Sequence, residues 1–147
     1  MKKFLFTVIS LLFAGSLLAQ PENKVVGVWL TQDKDSKIEV SKGKDGKFHG
    51  NIVWLKEPNR NGQPKKDEKN PEVKLRSRPT LGLNLLSGFS FDKSKNEWVD
   101  GTIYDPKSGK TYKCLMWFED EPNVLHVKGF IGFSLIGKEI EWTKSTM

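Results

Sequence analysis

Hydrophobic and polar positions alternate over short segments after Pro21, and Gly, Pro, Asn and Asp separate these segments. Alternation with a period of two is typical of strands that bury one face, and no long stretch has the 3.6-residue period of an amphipathic helix. The pattern therefore predicts an all-β chain. Its eight predicted strands are Val26–Thr31, Lys37–Ser41, Phe48–Leu55, Leu83–Asp92, Glu97–Asp105, Lys110–Glu119, Val124–Phe130 and Lys138–Lys144.

Most links between these strands are short and rich in turn residues, which favours an antiparallel up-and-down meander. Eight such strands can close into a barrel whose interior holds side chains or one small ligand, so we expect a lipocalin-like barrel; a β-sandwich is the alternative. One link differs. Residues 56–80 form a long polar loop, and loops of that length within a compact domain are usually functional or disordered.

The stretch GTIYDPKSGKTYKC predicts a hairpin, because Asp105, Pro106 and Gly109 suit the positions of a tight turn. Pairing Asp105 with Lys110 fixes the register. The inner, apolar face then holds the pairs Ile103–Tyr112, Gly101–Cys114 and Val99–Met116, and the outer face holds Tyr104–Thr111, Thr102–Lys113 and Trp98–Trp117.

Gly101 lies inside this hairpin opposite Cys114, where a missing side chain allows close approach. Either a cavity opens there, beside Tyr112, or the glycine relieves crowding at a barrel corner or bulge. Cys114 is the single cysteine, so the chain forms no intramolecular disulfide, and an inward thiol usually packs as a small apolar group.

Residues 1–19 combine a Lys2-Lys3 start, an apolar stretch and a small residue, Ala19, before Gln20. This pattern is typical of a secretory signal peptide, and its apolar part is short for a membrane span. We expect an exported protein, periplasmic or secreted, whose mature part is a single domain over residues 20–147 with no transmembrane span. An uncleaved anchor is the alternative.

Charge and motifs narrow the function classes. The net charge of +6 is mild, and the lysines are scattered among acids, so nucleic acid is not an expected partner; anionic glycans or lipid head groups stay open. The two histidines, His49 and His126, have no ligand at a metal-binding spacing, and no nucleophile or phosphate-loop motif occurs. We therefore expect no catalytic residues, no metal and no cofactor.

The long loop carries the densest polar cluster, formed by Asp67, Asn70, Arg76 and Arg78. Two arginines at i and i+2 on an extended segment point the same way and could bind a carboxylate, phosphate or sulfate. They could equally bond Asp67 or loop carbonyls and hold the loop in place. The sequence leaves both interpretations open.

Two tryptophans carry the first resemblance. Trp29 follows Gly27 in the first strand, Trp142 lies in the last, and Lys144 follows it. This resembles the lipocalin and fatty-acid-binding (calycin) pattern, in which a G-x-W tryptophan packs at the closed end of the barrel under a basic residue of the last strand.

A more specific resemblance rests on several motifs in order: GVWLT, GNIVWL, D-x-x-NP at Asp67–Pro71, LRSRPTLGLNLLSGF, the hairpin above, and VKGFIGFSLIGKEIEWTK. Together they resemble the exported bacterial family called domain of unknown function 2147. The family implies a calycin-like barrel with no settled activity. Lys128 and Lys144 stand where its pattern has arginine, which removes the planar fork for stacking.

We expect a binding module of the cell envelope that holds an apolar or amphipathic small molecule, and not an enzyme. The alternative is a solidly packed domain that binds an envelope protein. The segment Phe130–Glu139 predicts a bend before the last strand, or else a membrane-touching loop. The candidate ligand contacts are Phe48, Trp54, Asp67, Asn70, Arg76, Arg78, Phe89, Tyr112, Cys114 and Met116.

Overall fold

A computed structural model of the chain describes residues 20–131 and 137–147. The segment predicted as a signal peptide and the centre of the predicted bend, residues 132–136, lie outside the described residues. The strands are β1 (Gly27–Leu30), β2 (Ser36–Lys42), β3 (Phe48–Leu55), β4 (Asn59–Arg60), β5 (Gln63–Pro64), β6 (Asn84–Asp92), β7 (Glu97–Asp105), β8 (Lys110–Phe118), β9 (Val124–Phe130) and β10 (Gly137–Ser145), and 3₁₀ turns span Pro21–Val25 and Val73–Leu75.

Eight of these strands form a closed antiparallel barrel in the order β1-β10-β9-β8-β7-β6-β3-β2. All eight predicted strands are confirmed, with ends displaced by at most one residue. The β-sandwich alternative is wrong, because β1 pairs with both β2 and β10 and so closes the sheet on itself. Strands β4 and β5 form a separate small hairpin inside the long loop.

One end of the barrel, here called the closed end, is covered by the N-terminal 3₁₀ turn. The indole N–H of Trp29 donates to the Val25 carbonyl at 2.9 Å, and that of Trp98 donates to the Glu22 carbonyl at 3.0 Å. Aromatic rings fill the interior beneath the turn, since Phe118 lies 5.6 Å from both tryptophans between ring centroids. This aromatic layer is part of the hydrophobic core of the barrel.

The basic residue of the last strand packs as the calycin resemblance implies. The Lys144 ammonium lies 4.7 Å from the centroid of the Trp29 ring and donates to the Val26 carbonyl at 3.2 Å. A Cβ atom at Gly27 would overlap the Lys144 ammonium, so the glycine of the G-x-W pattern makes room for the lysine. A cation–π contact thus replaces the stacking of an arginine.

The predicted register of the β7–β8 hairpin is confirmed from the pair Gly101–Cys114 to the pair Asp105–Lys110. It is wrong on the N-terminal side of Gly101. A β-bulge separates Trp98 from Gly101, and Asp100 within it adopts a positive φ of 61°. As a result Trp98, and not Val99, stands opposite Met116. The bulge turns the Trp98 ring into the aromatic layer of the closed end, where it is fully buried.

Gly101 relieves crowding, because the Phe89 ring fills the space beside it. A Cβ atom there would overlap three ring atoms of Phe89, a fully buried side chain that occupies the space. Its partner Cys114 is 1% exposed, and burial raises the pKa of the thiol to about 12. Cys114 therefore stays protonated and packs as an apolar side chain, as expected.

Candidate functional site

The opposite end of the barrel, here called the open end, contains a cavity of about 1060 Å³. It lies among the β1–β2 turn, the long loop, the β7–β8 turn and the start of β10. Aliphatic and aromatic side chains from most strands form its walls, including Ile52, Leu85, Ile103, Tyr112, Val127, Ile140 and Trp142. Pockets that enclose a small molecule are typically about 300–1,000 Å³ and mostly apolar, so both size and lining suit one ligand.

The absence of a side chain at one position of the wall adds to the space in the cavity. This position is Gly129. It lines the cavity on β9, and a Cβ atom there would lie 3.4 Å from Ile103 Cγ2 and 3.5 Å from Tyr112 Cβ, which is ordinary contact. The missing side chain therefore widens the wall beside Tyr112.

The rim of the cavity is charged and rich in lysine. Three cations are paired there: Lys107 with Asp35 at 2.7 Å, Arg60 with Glu68 at 3.3 Å, and Lys65 with Glu57 at 3.9 Å. Four further lysines on the rim form no ion pair with any residue that the structure describes. They are Lys56, Lys66, Lys69 and Lys138. Asp33 and Asp105 also line the cavity, so seven cations face five carboxylates and the lining keeps a net charge of +2.

The polar residues of the long loop meet on the outer wall of the barrel, where they form what we call the Asp67 cluster: Asp67, Asn70, Arg76, Arg78 and Tyr104. Asp67 is fully buried. The Tyr104 hydroxyl donates to its Oδ1 at 2.5 Å, and Oδ2 accepts from Asn70 Nδ2 at 2.9 Å and from Arg78 Nη2 at 2.8 Å. Arg76 Nε donates to the Asn70 carbonyl at 2.7 Å.

The Asp67 cluster fixes the rim of the cavity. Tyr104 belongs to β7, so its hydrogen bond ties the long loop to the barrel wall, and Lys66 and Lys69 on either side of Asp67 line the cavity mouth. A Cβ atom at Gly109 would overlap the Lys69 carbonyl, which shows how closely the β7–β8 turn packs on the loop. Of the two interpretations of Arg76 and Arg78, their contacts match the structural clamp, and neither lines the cavity.

Hydrogen bonding in the Asp67 cluster separates the pKa values of its acid groups. Burial alone would raise the pKa of Asp67, but hydrogen bonds from Tyr104, Asn70 and Arg78 together with the Arg78 charge hold it below the ordinary value of 3.8. Burial and the neighbouring carboxylate raise the pKa of Tyr104 from 10.0 to about 12. The pair is therefore an ionised carboxylate and a neutral phenol over a wide pH range.

Tyr104→Phe is expected to lower the free energy of unfolding by about 2 kcal/mol near neutral pH, because a hydrogen bond to a buried carboxylate is lost. The raised pKa of Tyr104 means that its contribution is present below pH 10.0 and is lost as the pH rises through about 12. Urea unfolding of both proteins at about pH 8 and about pH 11.5 should show the difference shrinking at the higher pH. A difference that stays constant would contradict this assignment.

The structure brings one of the other candidate residues to the cavity, namely Tyr112. The indole of Trp54 is on the outside of the barrel, 37% exposed, with the Lys37 ammonium 5.4 Å from its ring centroid. The remaining candidates point inward but lie in the packed core, and they do not line the cavity: Phe48, Phe89, Cys114 and Met116. Inward direction alone does not tell how far along the barrel a residue lies.

Sequence reasoning missed most of the cavity wall, and Trp142 is the most informative omission. It lines the cavity, and its indole N–H is buried without a hydrogen-bond partner in the described part of the chain. Counting alternate positions along β10 back from Lys144, which packs on Trp29, would have placed Trp142 and Ile140 inside the barrel.

A closed eight-stranded antiparallel barrel with a cavity at one end and a G-x-W tryptophan at the other defines a lipocalin-like protein. The chain belongs to the family described as "Uncharacterized protein conserved in bacteria (DUF2147)", which matches residues 27–144. The sequence resemblance to this family is thereby confirmed.

A solved structure adds to the family match. The chain is similar to protein HP1028 from the human pathogen Helicobacter pylori, which is described as belonging to the lipocalin family. The two chains are 26% identical, with a TM-score of 0.70 over 83% of each. No curated protein gave a significant match. Within the described residues, no helix is both long and apolar enough to cross a membrane.

Proposed function

We propose that this protein is an exported envelope protein that holds one amphipathic small molecule in the barrel cavity. The cavity itself carries the proposal: about 1060 Å³ of space with apolar walls lies behind a mouth rich in lysine. An eight-stranded barrel is wide enough to enclose one small ligand, and the similarity to a lipocalin-family protein agrees with this use of the fold. Export rests on the signal-peptide pattern of residues 1–19.

The apolar walls and the lysine-rich rim of the cavity indicate the chemistry of the ligand. Ile103, Val127 and Ile140 offer only hydrocarbon surface, so burial of an apolar tail is favoured by about 25 cal/mol for each Å² removed from water. The lysines at the rim, Lys66 and Lys69 among them, favour an anionic head group such as a carboxylate or phosphate. The proposed ligand is therefore an acyl-type tail with an acidic head.

The other function classes find less support. A solidly packed barrel that serves only as an interaction domain does not account for a cavity of this volume. For an enzyme, the candidate groups would have to converge, but Asp67 is bound within its own cluster, Tyr112 faces the cavity and His126 lies on the outer wall. We therefore propose binding and not catalysis.

The first experiment is native mass spectrometry of the protein purified from its native host, combined with organic extraction. Binding is then measured with a fluorescent probe that carries an alkyl tail and a carboxylate, and with a probe of the same tail and a quaternary ammonium head. We expect one molecule of the carboxylate probe per protein, with an affinity at least about 10-fold higher than that of the cationic probe.

A cavity-filling variant tests where the probe binds. Gly129→Phe places a ring in the space that the missing side chain leaves, and it should abolish probe binding. Thr143→Phe, on the exposed face of the neighbouring strand, is the matched control and should bind normally. Equal probe binding by the two variants would show that the ligand binds outside the cavity. Equal affinity of the protein for the two probes would contradict the proposed acidic head group.

A further inference from the structure

A second candidate site lies on the outer wall of the barrel, apart from the cavity. His126 on β9 faces outward, yet its side chain is only 8% exposed. Trp117 covers one face of the imidazole, with ring centroids 5.3 Å apart and planes 18° from parallel. An outward histidine that is this well buried and held by a stacked ring has a fixed position, which a solvated surface histidine lacks.

Carboxylates approach both nitrogens of this imidazole. Glu119 Oε2 lies 3.6 Å from Nε2, Glu139 Oε1 lies 3.1 Å from Nδ1, and Glu141 Oε1 lies 3.9 Å from Nδ1. The ion pairs of these three glutamates within the described residues are all with His126. Even a protonated imidazole would leave the group with excess negative charge, and such an excess favours a cation of higher charge.

We propose that Glu119, His126 and Glu139 bind a divalent transition-metal ion, with Zn²⁺ as the reference case. One nitrogen of His126 and one oxygen of each glutamate lie within 4.8 Å of one another. Ligands about 2.0–2.2 Å from zinc in tetrahedral geometry stand roughly 3.3–3.6 Å apart. Since Glu119 and Glu139 approach different nitrogens, an ion on either nitrogen requires one of these two exposed side chains to rotate toward it.

The donor set indicates the class of ion. A neutral imidazole nitrogen with two carboxylate oxygens suits zinc, copper and similar ions, whereas calcium and magnesium take oxygen ligands almost alone. The surroundings also pre-organise the ligands, since the Trp117 indole N–H donates to Glu119 Oε1 at 3.2 Å. Glu141 adds negative charge beside the imidazole without joining the three ligands.

Such an ion would join three neighbouring strands from outside. Glu119 directly follows β8, His126 lies on β9 and Glu139 lies on β10. The ligands come from three separate segments, which explains why no metal-binding spacing is visible in the sequence. The expectation of no metal considered local spacing alone.

Calorimetric titration of Zn²⁺ into chelator-treated protein without an affinity tag tests the site. We expect saturable binding of one ion, weakened at least about 10-fold by Glu119→Gln and by Glu139→Gln. Both glutamates are exposed, so these variants should keep the fold, which thermal unfolding checks. His49→Gln removes the other histidine, which pairs with Asp45, and should leave the affinity unchanged.

Fluorescence gives a second readout that reports position. Cu²⁺ bound at His126 should quench Trp117, because the two rings are stacked. Trp117→Phe should still bind Cu²⁺ in calorimetry. The decrease in tryptophan fluorescence that Cu²⁺ causes should be smaller in this variant than in the unsubstituted protein, because only the other tryptophans remain to be quenched. The proposal is overturned by the absence of saturable binding, by affinity that is unchanged in Glu119→Gln and Glu139→Gln, or by loss of binding in His49→Gln.

Discussion

Asp67→Ala is expected to lower the free energy of unfolding by about 3 kcal/mol, because it leaves the buried donors of Tyr104 and Asn70 without their acceptor and removes the partner of the half-buried Arg78. Asp67 is fully buried, and its carboxylate accepts hydrogen bonds from Tyr104, Asn70 and Arg78. Without it, all three donors lose their acceptor. Urea unfolding measures the change in the free energy of unfolding. The dependence of that free energy on urea concentration should be the same in both proteins, so that the shift of the midpoint reports stability alone.

Glu68→Gln is the matched control for this substitution. It changes the next carboxylate in the same loop, whose ion pair with Arg60 is exposed, and should cost at most about 0.5 kcal/mol. Asp67→Ala should also make residues 56–80 cleave faster under limited proteolysis, since the long loop loses its hold on Tyr104. Two variants of equal stability would show that the Asp67 cluster does not stabilise the loop.

Gly101→Ala is expected to lower the free energy of unfolding by about 2 kcal/mol through overpacking. The added methyl group would overlap the ring of Phe89, which is fully buried in the close-packed core. Chemical denaturation of the purified variant gives the magnitude. The substitution should leave the cavity unchanged, because neither Gly101 nor Phe89 lines it.

Gly129→Ala separates this steric effect from a general preference for glycine in the barrel. Both glycines face inward on strands, but a Cβ atom at Gly129 makes ordinary contacts, so stability should stay unchanged or rise by up to about 1 kcal/mol. Phe89→Leu should also reduce the cost of Gly101→Ala in a double-mutant cycle. Additive costs in that cycle would exclude the Phe89 contact as the cause.

The strands could be predicted because their signals are local. Alternation fixes the face of each residue, and turn residues such as Asp105, Pro106 and Gly109 fix the hairpin register around them. The register fails where a signal is missing. The bulge before Gly101 places Asp100 at a positive φ, a conformation usually marked by glycine, and nothing in the sequence sets this aspartate apart.

The candidate site was harder to predict because it depends on distances between segments. Alternation placed Tyr112 and Cys114 inside the barrel equally well, yet one lines the cavity and the other lies in the core. The polar cluster around Asp67 was visible, but its missing partner, Tyr104, was expected opposite Thr111 on an outer face, with no link to the long loop. The approach of Glu139 to His126 follows from the pairing of β9 with β10, which periodicity alone does not position.

Barrel closure has a consequence for the time course of folding. β1 pairs with β10, and Val28 stands opposite Ser145 near the other terminus of the chain. The seam between β1 and β10 therefore cannot form until β10 is available, and contacts of such large sequence separation slow folding. A chain that lacks β10 would leave both β1 and β9 with unpaired backbone groups, so a C-terminal truncation should aggregate and not merely lose stability.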